Sequence, residues 1–114
     1  MNPDQALDEL MEVSLQVRRA VVLDAGGQVL SEAGAAGGST IDAAGLLDAA
    51  DEAARLLGRP AVGQLEVDVE DASVYAVRDD TGRAAVALTE PDATAGLVLY
   101  DLRQVLRAVR GEAD

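Results

Sequence analysis

Glu66, Asp68 and Glu70 stand at alternate positions in VGQLEVDVE, residues 62–70. Three carboxylates in a row suggest a divalent-cation site, because hard cations take oxygen ligands. The spacing argues against it. Alternate positions of a strand share one flat face, whereas cation ligands converge from loops or from several elements. The row reads better as the wet face of a half-buried strand, its charges discouraging aggregation. Paired carboxylates could also do acid–base work, but every acid here falls where a solvated face or a turn is expected. The chain has no Cys and no His. That removes thiol chemistry, the commonest general base and metal ligand, and every Ser-His or Cys-His pair. No catalytic residue, metal site or cofactor site is therefore expected, and no enzyme. Arg55 and Arg59 could serve a partner's active site as an arginine finger, although plain surface Arg explains them as well.

These residues must be positioned by a folded domain. The 114 residues are 49% hydrophobic and 26% charged, which suits one globular domain, residues 1–114. A chain of this size buries roughly two-thirds of its unfolded surface. The core must be built from Ala, Val and Leu, because there is no Phe or Trp and there are two Tyr, Tyr75 and Tyr100. The net charge of −12 and the scatter of nine Arg argue against nucleic acid and against anionic membrane surfaces. No stretch reaches the ~18 apolar residues of a membrane span. Met1-Asn2-Pro3-Asp4 lacks the basic start of a signal peptide, so the cytoplasm is the expected location.

Along the chain, Asn2-Pro3-Asp4 reads as a helix start, and the apolar spacing predicts a helix from Pro3 to about Leu15. Ala20–Leu23, the turn cluster Asp24–Gly27 and Gln28–Glu32 form a hairpin. Its first run is apolar on both faces and suits a central strand; the second suits an edge. Ala33 to Gly38 is a connector of small residues. Ser39 or Thr40 then caps a second helix from about Ile41 to Leu57, with Gly58 as the stop. Ala43, Leu46, Leu47, Ala50, Ala54 and Leu57 lie on one broad face, widened by Ala44 and Ala53. That surface exceeds what one sheet needs, so a helix covered on two sides is expected; the alternative is a surface helix whose Ala serve helix propensity alone. Residues 62–70, 73–78 and 83–89 form an antiparallel meander, punctuated by Asp71-Ala72 and Asp79–Gly82. The last helix follows Pro91-Asp92. It buries Ala95, Val98, Leu102, Val105 and Val109, with Leu99 and Leu106 flanking, and it stops at Gly111. The fold class is α+β: one five-stranded antiparallel sheet sandwiched by helices, in the order α-β-β-α-β-β-β-α.

That order and its punctuation resemble the roadblock / dynein light chain family. The matching stretches are Leu7-Asp8-Glu9-Leu10, then Val17–Ala20 leading into Val21-Val22-Leu23-Asp24-Ala25-Gly26-Gly27-Gln28-Val29-Leu30, the three-strand meander, and Thr94-Ala95-Gly96-Leu97 through Val109. The resemblance covers nearly the whole chain. It implies a roadblock-like domain with profilin-like layering, and a homodimer paired through the second helix and third strand with two sheets joined edge to edge. The contact would comprise Ala43, Leu46, Leu47, Ala50, Ala54, Leu57, Leu65 and Val67. It further implies a platform for a Ras-like small GTPase or a scaffold, acting in bacteria with a partner GTPase whose hydrolysis is sometimes stimulated.

An edge strand at residues 62–70 offers unpaired backbone groups, which favours such pairing. Two copies of Glu66, Asp68 and Glu70 would repel across a two-fold axis unless Arg55, Arg59 or Arg78 lay close enough to neutralise them. The leading expectation is thus a non-enzymatic dimeric regulator of a small GTPase. The alternative is a small-molecule sensor domain, which two aromatic residues furnish poorly.

Overall fold

The computed structural model describes residues 1–34 and 41–112. Three helices and five strands follow the expected order: α1 (Pro3–Val13), β1 (Val17–Leu23), β2 (Val29–Gly34), α2 (Ala43–Leu56), β3 (Gln64–Asp68), β4 (Ser73–Arg78), β5 (Ala84–Thr89) and α3 (Ala95–Glu112). The strands form one antiparallel sheet in the order β2-β1-β5-β4-β3. The segment holding α2 carries the chain from one edge of the sheet to the other.

The apolar runs explain the layers. Ala20 and Val22 of β1 face a cluster that includes Leu7 and Leu10 of α1 and Val98 and Leu102 of α3. Val21 and Leu23 face the opposite way, toward Ala43 and Leu47 of α2. Helices therefore cover both faces, because β1, β4 and β5 carry apolar side chains on both. The β1–β2 and β4–β5 turns use one device. The Asp24 carboxylate accepts the N–H groups of Gly26 and Gln28, each at 2.9 Å. Asp79 does the same for Thr81 and Arg83, at 2.9 and 3.1 Å. Gly27 and Gly82 close the turns at φ 85° and 91°, values that a Cβ would resist.

The helix ends depart from expectation in four places. Asn2 caps α1 as read, its side chain accepting from the Gln5 N–H at 2.8 Å. The helix then stops at Val13 and Ser14 is its C-cap, so Leu15 lies outside it and is 87% exposed. The chain needs those residues to turn into β1, and the Val17 N–H bonds the Ser14 carbonyl. Helix α2 begins at Ala43 rather than Ile41, because Asp42 caps it, accepting from the Gly45 N–H at 3.0 Å. Ser39, Thr40 and the connector 35–38 lie outside the described residues. At the other end Leu57 is the cap and Gly58, at φ 74°, closes the helix. The Gly58 and Arg59 N–H groups return to the carbonyls of Arg55 and Ala54, which satisfies two orphan acceptors. Gly111 does not stop α3, which runs to Glu112. Nothing packs near Gly111, and a helical Gly costs only about 1 kcal/mol against Ala. Among the described residues no helix is long and apolar enough to cross a membrane.

Candidate partner interface

Helix α2 divides its small side chains between two environments. Ala43, Leu47, Ala50 and Ala54 are buried, and Ala43 and Leu47 pack on the chain's own sheet. Leu46 is half-buried against the same cluster. Ala53, Leu56 and Leu57 are exposed, the last two by 84% and 79%. The broad face read from the sequence is thus a narrow sheet-facing stripe with an open flank beside it. On β3, Leu65 and Val67 are half-buried on the α2 side of the sheet. Val67 sits beside Val74, and Val74 beside Leu88, in a cross-strand row of half-buried apolar residues. Of the eight candidate contact residues, four are covered by their own chain. Leu46, Leu57, Leu65 and Val67 keep surface for something else. Leu56, Val74 and Leu88 extend that surface. Sequence reading passed over them, since only the pairing of β3 with β4, and of β4 with β5, puts Val67, Val74 and Leu88 in one row.

The backbone of β3 is open along the same border. β3 is an edge strand. The Arg78 N–H donates to the Gly63 carbonyl, and the Val69 N–H to the Ala72 carbonyl. In an antiparallel pair the bonded positions alternate. The odd-numbered residues of β3 therefore bond β4, and Gln64, Glu66 and Asp68 turn their N–H and C=O groups outward.

One half-buried clamp ties this edge to α2. The Arg78 guanidinium donates to both Asp51 oxygens, at 2.9 and 3.2 Å, and to the Val62 carbonyl at 3.0 Å. The Val62 N–H donates to Asp51 at 2.9 Å. Asp51 of α2, Arg78 of β4 and the approach to β3 are thereby one unit. The hydrogen bond from Arg78, and then that from Val62, hold the Asp51 carboxyl below its ordinary value of 3.8. A carboxyl lowered on folding adds stability above its unfolded value, and that stability is lost as pH falls through the folded value. Asp51→Asn should therefore melt below wild type at pH 7, and the gap should close as the pH is taken below about 4. Thermal melts across that range would measure it.

The acidic row does not converge. Glu66 and Asp68 lie on the α3 side of the sheet, opposite Tyr75 and Ser73 of β4, and the Ser73 hydroxyl donates to Asp68 at 2.7 Å. Glu70 lies beyond the strand and is exposed. Among the described residues no group of acids is arranged to hold a metal ion. Neither Arg55 nor Arg78 serves as counter-charge to the row. Arg78 is taken by Asp51 on the α2 side, and Arg55 pairs with Glu52; Arg59 is exposed beyond the end of α2. Of the two Tyr, Tyr75 is buried and Tyr100 is exposed. A cleft of about 360 Å³ between α2 and the β1–β2 and β4–β5 turns is lined by Gly26, Gly27, Ala44, Asp48, Asp51 and Arg78 among others. A trough of about 470 Å³ runs by Glu66, Asp68, Tyr75 and Asp92. Small and charged walls of this kind give a drug-sized ligand little apolar area.

No protein-family model matches the chain, and no curated protein does. Solved structures do. A Roadblock/LC7 domain from Streptomyces avermitilis superposes with a TM-score of 0.77 at 20% identity, over 99% of this chain and 98% of that one. A second Roadblock/LC7 domain from that organism is 26% identical, with a TM-score of 0.64 over 92% and 95% of the two chains. Myxococcus xanthus MglB matches with a TM-score of 0.74 at 18% identity, over 90% of this chain and 80% of that one. Strand order, helix placement and full-length superposition agree, and the fold of this chain is the roadblock fold.

Proposed function

We propose that the chain is a non-enzymatic platform that pairs with a second copy of itself and regulates a Ras-like small GTPase in the bacterial cytoplasm. One observation carries the pairing. An open β3 edge carries the half-buried Leu65 and Val67, and α2, packed on the same face of the sheet, leaves Leu46, Leu56 and Leu57 accessible. Exposed edges seek a further strand, and exposed apolar patches mark contact surfaces. A second copy supplies both in the same place. The GTPase half of the reading is supported by the likeness to MglB and to Roadblock/LC7 domains. An acidic platform would steer toward a basic patch on such a partner.

The test has two parts. Sedimentation equilibrium at tens of micromolar should return twice the chain mass. Purified Ras-like GTPases encoded near the gene should then be assayed for binding and for GTP hydrolysis with and without the protein. Binding by at least one of them is the expected result. A chain that binds none and leaves every hydrolysis rate unchanged is not a GTPase regulator.

A further inference from the structure

We propose that the two β3 strands join in the register centred on Glu66, and that Arg103, held over the β3 edge by Gln64, is there the counter-charge for Asp68 of a second copy. The inference rests on the pairing read above and specifies its geometry.

The outward backbone groups define the allowed registers. They belong to Gln64, Glu66 and Asp68. When two copies of β3 meet antiparallel across a two-fold axis normal to the sheet, opposed residues must be those whose groups point outward. Centring the axis on Glu66 opposes Gln64 to the partner's Asp68 and Glu66 to the partner's Glu66. Every outward N–H and C=O then has a partner. On the α2 side the same register sets Leu65 against the partner's Val67, an apolar cross-strand pair at each end of the axis. Sliding the axis to Leu65 or Val67 leaves an outward residue of the strand without its opposite number inside β3.

The same register places a cation against an acid. On the α3 side Gln64 opposes the partner's Asp68 and Glu66 opposes its own copy, and like charges directly opposite are destabilising. The chain carries −12 overall, so a cation at this edge is notable. Arg103 of α3 is that cation: its guanidinium donates to the Gln64 side chain, 39 residues away in sequence. Opposed residues in a bonded antiparallel pair lie about 5.5 Å apart at Cα. The carboxylate of the partner's Asp68 would therefore stand beside Gln64, within reach of Arg103. In its own chain Asp68 uses Oδ1 to accept from Ser73, which orients the carboxylate and leaves Oδ2 for an incoming donor. Symmetry makes the contact twice. Glu66 alone faces its own copy, and that repulsion is the residual cost.

The absence of Cys from the chain makes the register directly testable. Glu66→Cys should oxidise to a covalent dimer, because a separation of about 5.5 Å suits a disulfide. Gln64→Cys and Asp68→Cys should cross-link readily when mixed and poorly when each is alone. Charge is tested separately by sedimentation. Arg103→Asp and Asp68→Arg should each weaken the dimer about tenfold or more, and the double variant should return to within about threefold of wild type. Glu66→Gln should tighten the dimer. Because Arg103 and Asp68 are exposed, melts of these variants should stay near wild type. Charge-reversal variants that dimerise like wild type, or cysteine variants that cross-link through another pairing, overturn this proposal and leave the pairing itself standing. A wild-type chain that stays monomeric at millimolar concentration overturns both.

Discussion

Leu65→Asp should leave a folded chain that no longer pairs. Leu65 is half-buried on the α2 side of β3, against the cluster of Val21, Ala76 and Val86. In the isolated chain an Asp there can turn its carboxylate to water at the open edge, so the fold should lose only about 1 kcal/mol. In the joined sheets that escape is closed. The carboxylate would face the partner's Val67 inside an apolar strip, and an unpaired polar group so placed costs about 1–3 kcal/mol by mutational measures. The contact occurs twice, so about 3 kcal/mol is a modest total, or more than a hundredfold in dissociation constant. Sedimentation across a concentration series, with a thermal melt beside it, separates loss of pairing from loss of fold. Any GTPase that needs the joined platform should be lost with it. A variant still dimeric at wild-type affinity would place the contact away from β3.

Helix α2 offers an instructive contrast. Ala50→Asp looks as disruptive as Leu65→Asp when the sequence alone is read, because Ala50 belongs to the same broad small-residue face. The structure buries Ala50. An Asp there would damage the monomer first, and loss of pairing would carry no information about the interface. Leu57, at 79% exposure, is the better second probe.

What was legible in the sequence followed local chemistry. Asp24–Gly27 and Asp79–Gly82 announced their turns because an Asp side chain and a Gly in left-handed backbone suffice to make one. Alternation placed β3 at an edge, and two-sided apolar runs placed β1 and β5 inside. What was missed depended on partners distant in the chain. Periodicity identifies the stripe Ala43, Leu47, Ala50, Ala54, yet it does not say how far the helix is rolled, so Leu46 and Leu57 merged into that stripe. Arg78 read as an available cation because nothing nearby in sequence shows that Asp51 claims it. Arg103 gave no local signal, since its role arises only where α3 crosses the strands toward Gln64. Leu15 and Gly111 misplaced two helix ends, for there the chain's route decided rather than its propensity.

Tyr75→Ala should be the most damaging single truncation in the fold. With no Phe and no Trp, the core is filled by Ala, Val and Leu, and Tyr75 heads its largest fully buried side chains. It packs in the cluster shared by β4, α1 and α3, and its neighbour across β5 is Ala87. Alanines cannot reach into the space that a lost ring leaves, so little of the cavity would refill. A loss of about 3–5 kcal/mol follows, a large share of the roughly 5–15 kcal/mol that holds a domain together. The melting temperature should fall by about 12 °C or more. Tyr75→Phe separates the ring from its hydroxyl. Burial, and then the nearby Glu66 and Asp68, push the phenol above its ordinary value, while a hydrogen bond with Ser73 opposes them. Losing that hydrogen bond should cost only about 1 kcal/mol. Tyr100→Ala, at a ring 57% exposed, should stay within about 0.5 kcal/mol of wild type. Because β4 carries the β3 edge, Tyr75→Ala should weaken pairing and fold together, whereas Leu65→Asp should abolish pairing alone. If both variants melt like wild type and only pairing suffers, Tyr75 is not the anchor of this aromatic-poor core.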